Sequence, residues 1–175
     1  DDPLAIGGYL PLDRVYRFEP IPDALTSQQA THILGVQANL WTEYISTTDQ
    51  VEYMVLPRMC ALSEVAWTAR QKKDYDSFVN RVIAHFKVLA FRGYTYAKAI
   101  YDVEASAYPL QGKGVKVELR TPYKYGMIRY TTNLAEPTGK DKLYTDPIPV
   151  ERSKIIRSAV FYGDQRKGNI LQDRK

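Results

Sequence analysis

Residues 35–44 read GVQANLWTEY, and the fold class turns on whether this stretch is a strand. An apolar approach, Ile33 and Leu34, leads into it. Successive side chains of a strand point to opposite faces, so a strand over 33–41 would put Val36, Ala38 and Leu40 on one side, able to pack under a helix. Gln37, Asn39, Trp41 and Glu43 would share the other side. An apolar run bounded by a glycine and polar neighbours suits a buried parallel strand. Such a strand must find partners for its backbone groups, and one strand with two or three helices cannot close a parallel sheet. The stretch therefore either adds to another chain or is the tail of a larger α/β domain, which is the simpler expectation.

The 175 residues suffice for one medium domain or two small ones. With 45% hydrophobic and 25% charged residues the chain is not wholly disordered. No apolar run approaches the roughly 18 residues a membrane span needs. The start, DDPLAIGG, is acidic and lacks the pattern of a signal peptide; because it does not begin with Met, the chain is expected to be a processed or excised product. The single cysteine, Cys60, lies among Met59, Ala61 and Leu62 and reads as a buried, inert thiol. His32 and His85 have no cysteine or carboxylate at ligand spacing, so no metal is expected. Residues 1–98 carry 10 Lys/Arg and 11 Asp/Glu, and residues 99–175 carry 14 and 9. The surplus of basic residues in the second part is scattered among acids, which argues against nucleic acid and for a solvated surface.

Around the central stretch the first part reads as helical. DRVYRF (13–18) is a turn or short helix stopped by Pro20 and Pro22, and Thr26 opens a short helical segment. Asp49, with Glu52 three residues on, looks like the start of the next helix. Its apolar face is expected to include Val51, Met54, Val55, Met59, Leu62, Val65 and Ala66, with Trp67 closing it as a core residue. Pro57 should kink this helix or split it in two. A linker, RQKKD (70–74), leads to a helix over 74–91 with Phe78, Val82, Phe86 and Leu89 on one face and Gly93 as its stop.

After about residue 99 the period changes from helical to alternating. VKVELRT (115–121), MIRYTT (127–132) and IIRSAVFY (155–162) read as strands, separated by Gly112, Gly114, Gly126, Gly139, Pro122, Pro137, Pro147 and Pro149. This is the pattern of a small antiparallel sandwich. The expected architecture is α/β followed by all-β: the last strand and helices of a (β/α)8 barrel in residues 1–98, then a β-sandwich in 99–175 that ends within that domain or just before another.

In an α/β barrel ligands bind at the carboxyl ends of the strands, and Trp41 and Glu43 lie at that end of the expected strand. An indole beside a carboxylate suits a sugar, whose C–H face stacks on the ring while its hydroxyls donate to the carboxylate. A tryptophan anchoring the rim and a glutamate facing water fit the same spacing.

ILGVQANLWTEYI (33–45), followed by VEYMVLPRMCALSEVAWT (51–68), resembles the last strand and helix of family-20 glycoside hydrolases, the exo-acting β-N-acetylhexosaminidases. GGYLPLDRVYRFEPIP (7–22) is similar to the segment before that strand, and FRGYTYA (91–97) to the exit from the barrel. IRYTTNLAEPT (128–138) resembles the chitobiase-type C-terminal sandwich, in which a D-G-S-E-P-T turn is usual; here Leu134 and Ala135 stand for Gly-Ser. The resemblance implies that Trp41 forms the indole wall against a terminal N-acetylglucosamine or N-acetylgalactosamine, and that Glu43 accepts from its outer hydroxyls. It also implies a retaining mechanism in which the substrate's own acetamido oxygen attacks, an exception to the two-carboxylate scheme. The acid, the acetamido-orienting carboxylate and the assisting tyrosine are expected upstream. No catalytic residue is then expected in this chain, which alone should be inactive. No cofactor is implied, the partner is the rest of the barrel, and export of the parent follows by analogy. A non-catalytic accessory or docking module, or a different barrel enzyme with the same W-x-E ending, are the alternatives.

Overall fold

The structure is a computed structural model that describes Gly8 and residues 10–110, 114–150 and 155–174, with residues 173 and 174 described by backbone alone. The readings placed on Asp1, Asp2 and Gly112 fall outside these residues. The chain divides into two compact units, Asp1–Ala97 and Lys98–Lys175: helices come first, then antiparallel sheets.

The first unit holds helices α1 (Leu12–Tyr16), α2 (Ser27–Ala30), α3 (Thr48–Val55), α4 (Arg58–Trp67) and α5 (Tyr75–Phe91). Helix α5 forms as its pattern dictates. The Asp74 side chain accepts from the Ser77 backbone N–H at its start, and Phe78, Val82, Phe86 and Leu89 are buried along one face together with Val79. At its end Gly93 takes φ +76°. The Tyr94 N–H reaches the Leu89 carbonyl and the Gly93 N–H the Ala90 carbonyl, a Schellman closure that needs the left-handed glycine. Tyr16 of α1 stacks on Phe78, ring centroids 4.7 Å apart, and docks α1 against α5.

Pro57 splits the central helix in two: α3 ends at Val55 and α4 begins at Arg58. The cap of α3 lies two residues before the expected Asp49. Thr47 accepts from the Gln50 N–H at 3.2 Å, so the Thr47–Gln50 spacing is the capping signal rather than Asp49–Glu52. Glu52 instead accepts from the Thr95 N–H at 2.7 Å. With the Ala97 N–H donating to the Leu56 carbonyl, this pins the chain leaving α5 beside α3. The expected apolar face of α4 also changes. Ala61 and Val65 are the buried pair, whereas Met59, Ala66 and Trp67 are exposed, Trp67 at 91%. Helical spacing puts Met59 and Ala66 roughly opposite Ala61 and Val65. Trp67 is thus not a core residue of this unit. Helix α4 is apolar on both sides, and only one of them is covered.

Residues 70–74 are more than a solvated linker. Arg70 pairs with Asp23 and Glu19, and Lys73 donates to the Phe18 carbonyl at 3.0 Å and approaches Glu19 at 3.5 Å. The segment clamps the chain between α1 and α2. Cys60 is half-buried, and burial pushes its thiol pKa up, which keeps it protonated and unreactive.

The principal departure is at 33–41. These residues form no strand, and Leu34 is 95% exposed. A strand is defined by backbone pairing, and among its described residues the first unit offers no other strand for it to join. The sheet of a barrel is therefore absent among the described residues.

Among its described residues the second unit has eight strands: β1 (Glu104–Pro109), β2 (Val115–Arg120), β3 (Met127–Thr131), β4 (Lys142–Leu143), β5 (Ile148–Val150), β6 (Ile155–Tyr162), β7 (Gln165–Arg166) and β8 (Leu171–Arg174). One sheet has the order β1-β2-β5; the other has β4-β3-β6-β7, with β8 also on β6, and the pairs are antiparallel. Val117 and Leu119 of β2 are buried in the expected alternation, whereas Ser158, Ala159, Val160 and Phe161 of β6 are buried in succession. The Leu119 N–H donates to the Tyr144 hydroxyl at 3.1 Å, tying β2 to the chain just after β4. Two sheets with buried faces make the expected antiparallel all-β unit.

Candidate functional site

The polar side chains of GVQANLWTEY sit on a segment without regular secondary structure that a turn ends. Gln37 Nε2 donates to Asn39 Oδ1 at 2.7 Å, so these two alternate side chains meet. Val36 and Leu40 are partly covered while Gln37, Ala38, Asn39 and Trp41 are exposed, Trp41 at 64%, so Ala38 does not join the covered side expected of a strand. Glu43 lies in a turn closed by the Ile45 N–H on the Thr42 carbonyl at 3.0 Å. Glu43 is exposed, and so is Tyr44 beside it.

A residue the sequence reading passed over fixes this turn. Gln50, in the first turn of α3, donates through Nε2 to the Tyr44 carbonyl at 3.1 Å. Its Oε1 accepts from the Ser46 N–H at 3.2 Å. One side chain thus staples the chain after Glu43 to the start of α3, which Thr47 caps. The T-x-x-Q spacing at 47–50 was the available signal, because it is a capping-box pattern. The result is an exposed indole and an exposed carboxylate two residues apart, the second held on a turn anchored to a helix. Such a pair can offer a stacking face and a hydrogen-bond acceptor to a polar ligand.

Metal chemistry has no support in the donor set: among the described residues no three His, Cys, Asp or Glu side chains gather. No helix among them is long and apolar enough to cross a membrane.

Comparison with known proteins gives two family matches. Residues 1–70 match the glycosyl hydrolase family 20 catalytic domain, and residues 109–171 match the chitobiase/beta-hexosaminidase C-terminal domain. A beta-hexosaminidase of Porphyromonas gingivalis is 32% identical over 158 residues, which is 89% of this chain and 20% of that protein. A beta-N-acetylhexosaminidase of Cellulomonas fimi is 37% identical over 82 residues, 47% of this chain and 16% of that protein. A beta-hexosaminidase of Vibrio vulnificus is 54% identical over 44 residues, 25% of this chain and 5% of that protein. The chain spans a fifth or less of the length of these relatives.

Proposed function

We propose, from the match of residues 1–70 to the glycosyl hydrolase family 20 catalytic domain and of residues 109–171 to the chitobiase/beta-hexosaminidase C-terminal domain, that this chain is part of an exo-acting β-N-acetylhexosaminidase to which it supplies one wall of the sugar pocket. The observation that carries this reading is the match to a beta-hexosaminidase over 89% of the chain, across both units.

In this reading Trp41 stacks on the apolar face of a terminal N-acetylglucosamine or N-acetylgalactosamine, and Glu43 accepts hydrogen bonds from its outer hydroxyls. Both side chains are exposed here and free to meet a ligand. Gln50 is a positioning residue, holding the turn that carries Glu43. The acid and the carboxylate that orients the substrate's acetamido group come from the rest of the catalytic domain, where the acetamido oxygen displaces the leaving group and water then opens the cyclised intermediate. Residues 33–41 become the last strand of a barrel once neighbouring strands pair with them. The open side of α4, with Met59 and Ala66, is then the side that meets the sheet. An exposed apolar face of this kind marks a surface that meets another element, which supports that placement.

The test is the turnover of an aryl N-acetylglucosaminide by the whole enzyme. Glu43→Ala should weaken it by roughly 1–3 kcal/mol, the range for a lost buried polar partner. Unchanged kinetics would return Glu43 to the role of a surface residue. This chain alone should show no turnover, and activity abolished by a mimic of the cyclised intermediate would overturn the assignment of the chemistry to other residues.

A further inference from the structure

Strand β1 ends one sheet, with β2 as its only neighbour among the described residues. Which of its backbone groups face outward follows from the hydrogen bonds around β2. The Leu110 N–H donates to the Gly114 carbonyl, and this pair continues the register in which Pro109 opposes Val115. Bonded and non-bonded pairs alternate along an antiparallel ladder, so Glu104, Ser106 and Tyr108 direct their backbone groups at β2. Ala105 and Ala107 direct theirs away from it. The far side of β2 has the same phase: Leu119, which opposes Ala105, turns its N–H away from β1 and onto the Tyr144 hydroxyl at 3.1 Å. Among the described residues no hydrogen bond takes up the backbone groups of Ala105 and Ala107.

The opposite edge of the same sheet is closed. Pro149 of β5 opposes Lys116, whose backbone is bonded to β1 in this phase, so the proline nitrogen lies on the outer side and offers no donor there. In the other sheet β4 and β7 are two residues long. Strand β1 instead runs six residues in unbroken register, EASAYP, with no lysine, no bulge and its proline only at the last position. Those are the devices that keep an edge from pairing with another chain, and β1 is exposed at every position but Ala107, which is half-covered.

We propose that this edge pairs with β1 of a second copy of this chain, antiparallel about a two-fold axis at Ser106. In that register Ala105 faces Ala107 of the second copy and Ala107 faces its Ala105, so the outward N–H and C=O groups of these alanines all find partners. Ser106 meets its own counterpart, and Glu104 faces Tyr108. Within each copy Glu104 already opposes Arg120 and Tyr108 opposes Lys116. A row across the joined sheets therefore reads Arg120, Glu104, Tyr108, Lys116, with no like charges side by side. The one charged side chain of β1 never meets itself, and the small residues at the axis let the strands close up. This self-complementarity favours a second copy over an unrelated strand, and it makes no use of the sugar pocket.

The experiment is sedimentation equilibrium of the whole chain carrying Met59→Lys and Trp67→Lys, which put charge on the open side of α4 and leave β1 untouched. This chain should form a dimer. Adding Ser106→Lys or Ser106→Glu sets like charges face to face at the axis and should raise the dimer dissociation constant about tenfold or more. An equal mixture of those two variants should recover the dimer. In a Cys60→Ala chain, Ser106→Cys should cross-link to its counterpart under oxidised glutathione, because opposed residues of a non-bonded pair stand about 4.5 Å apart at Cα. Ala105→Cys, which faces an alanine, should cross-link several-fold less. Thermal unfolding checks that each variant is folded, and the cysteine pair still decides the matter where a charged variant is not. A double-lysine chain that stays monomeric would overturn the proposal and leave the edge to a different strand. Charged variants that dimerise undiminished, or cysteine variants that cross-link alike, would overturn it as well.

Discussion

The Tyr16 hydroxyl donates to Glu64 Oε1 at 3.0 Å across 48 residues of chain, and Arg81 of α5 bonds the other oxygen of the same carboxylate. One carboxylate thus joins α1, α4 and α5 at the point where the Tyr16 ring is buried. Tyr16→Phe keeps the ring and should cost about 0.5–1.5 kcal/mol, the net worth of one hydrogen bond. Burial, with Glu64 as acceptor and as a nearby negative charge, raises the phenol pKa above its usual 10. A raised folded-state pKa contributes stability that is complete below the unfolded value and is lost as pH rises through the folded one. The gap in urea midpoint between the parent chain and Tyr16→Phe should therefore be present at pH 8 and close as pH rises well above 10; a gap that does not close at alkaline pH would argue against the phenol as the source.

Leu134 occupies the turn after β3 with φ +68°, at the place where the resembling turn carries glycine. A branched side chain in the left-handed region costs about 1–2 kcal/mol. The turn is held regardless, because the Ala135 N–H donates to Asn133 Oδ1 and the Thr131 hydroxyl to the Ala135 carbonyl. Leu134 is exposed and gives little packing in return. Leu134→Gly should raise stability by about 0.5–1 kcal/mol once the added freedom of the unfolded glycine is set against the relieved strain. A thermal midpoint that stays level or falls would show that Leu134 is held by packing.

What the sequence made legible follows the range of the forces involved. Helix α5 could be read because its cap at Asp74, its stripe from Phe78 to Leu89 and its stop at Gly93 are all encoded within a few residues of where they act. Strand β2 could be read from alternation, and β3 and β6 as short runs between turn residues. Strand β1, EASAYP, could not: its side chains are small or exposed, and it is a strand because Glu104 to Pro109 pair with Arg120 to Val115. The same dependence on partners works in reverse at 33–41, where a strand-like pattern has nothing to pair with. Trp67 misled for a related reason, since hydrophobic periodicity reports which faces want cover and not whether this chain supplies it. For the site, Trp41 and Glu43 could be named from the motif, but their link to α3 through Gln50 depended on which of several polar residues caps that helix.

The approach of Gly168 to Tyr101 sets a steric requirement in the second unit. A Cβ on Gly168 would fall 2.1 Å from the Tyr101 carbonyl oxygen, a backbone atom that no side-chain rotation can remove. Next to it, Asp102 accepts from the Asn169 N–H at 2.7 Å and from Asn169 Nδ2 at 3.2 Å. Gly168→Ala should cost about 1–3 kcal/mol through overpacking, and Asp102→Ala less, about 0.5–1.5 kcal/mol, because water can take up the exposed Asn169 donors. The two share one contact, so in a double-mutant cycle their costs should fall short of additive. Full additivity in denaturant unfolding would show that the contacts act separately.

Leu34, Trp67 and Phe91 of the first unit are more than 90% exposed, and Met59 and Ala66 line the uncovered side of α4. Exposed apolar groups of this size mark surfaces that meet another partner. With no other chain present, this chain should associate with itself as its concentration rises, and sedimentation velocity should resolve species larger than its 20.0 kDa monomer. Changing Met59 and Trp67 together to lysine should shift the distribution toward monomer and leave the buried pair Ala61 and Val65 packed, since the altered residues touch a different side of the helix. A parent chain that sediments as a clean monomer across that range would mean that the open side of α4 finds cover within the chain itself, and would remove the reason to place a barrel sheet against it.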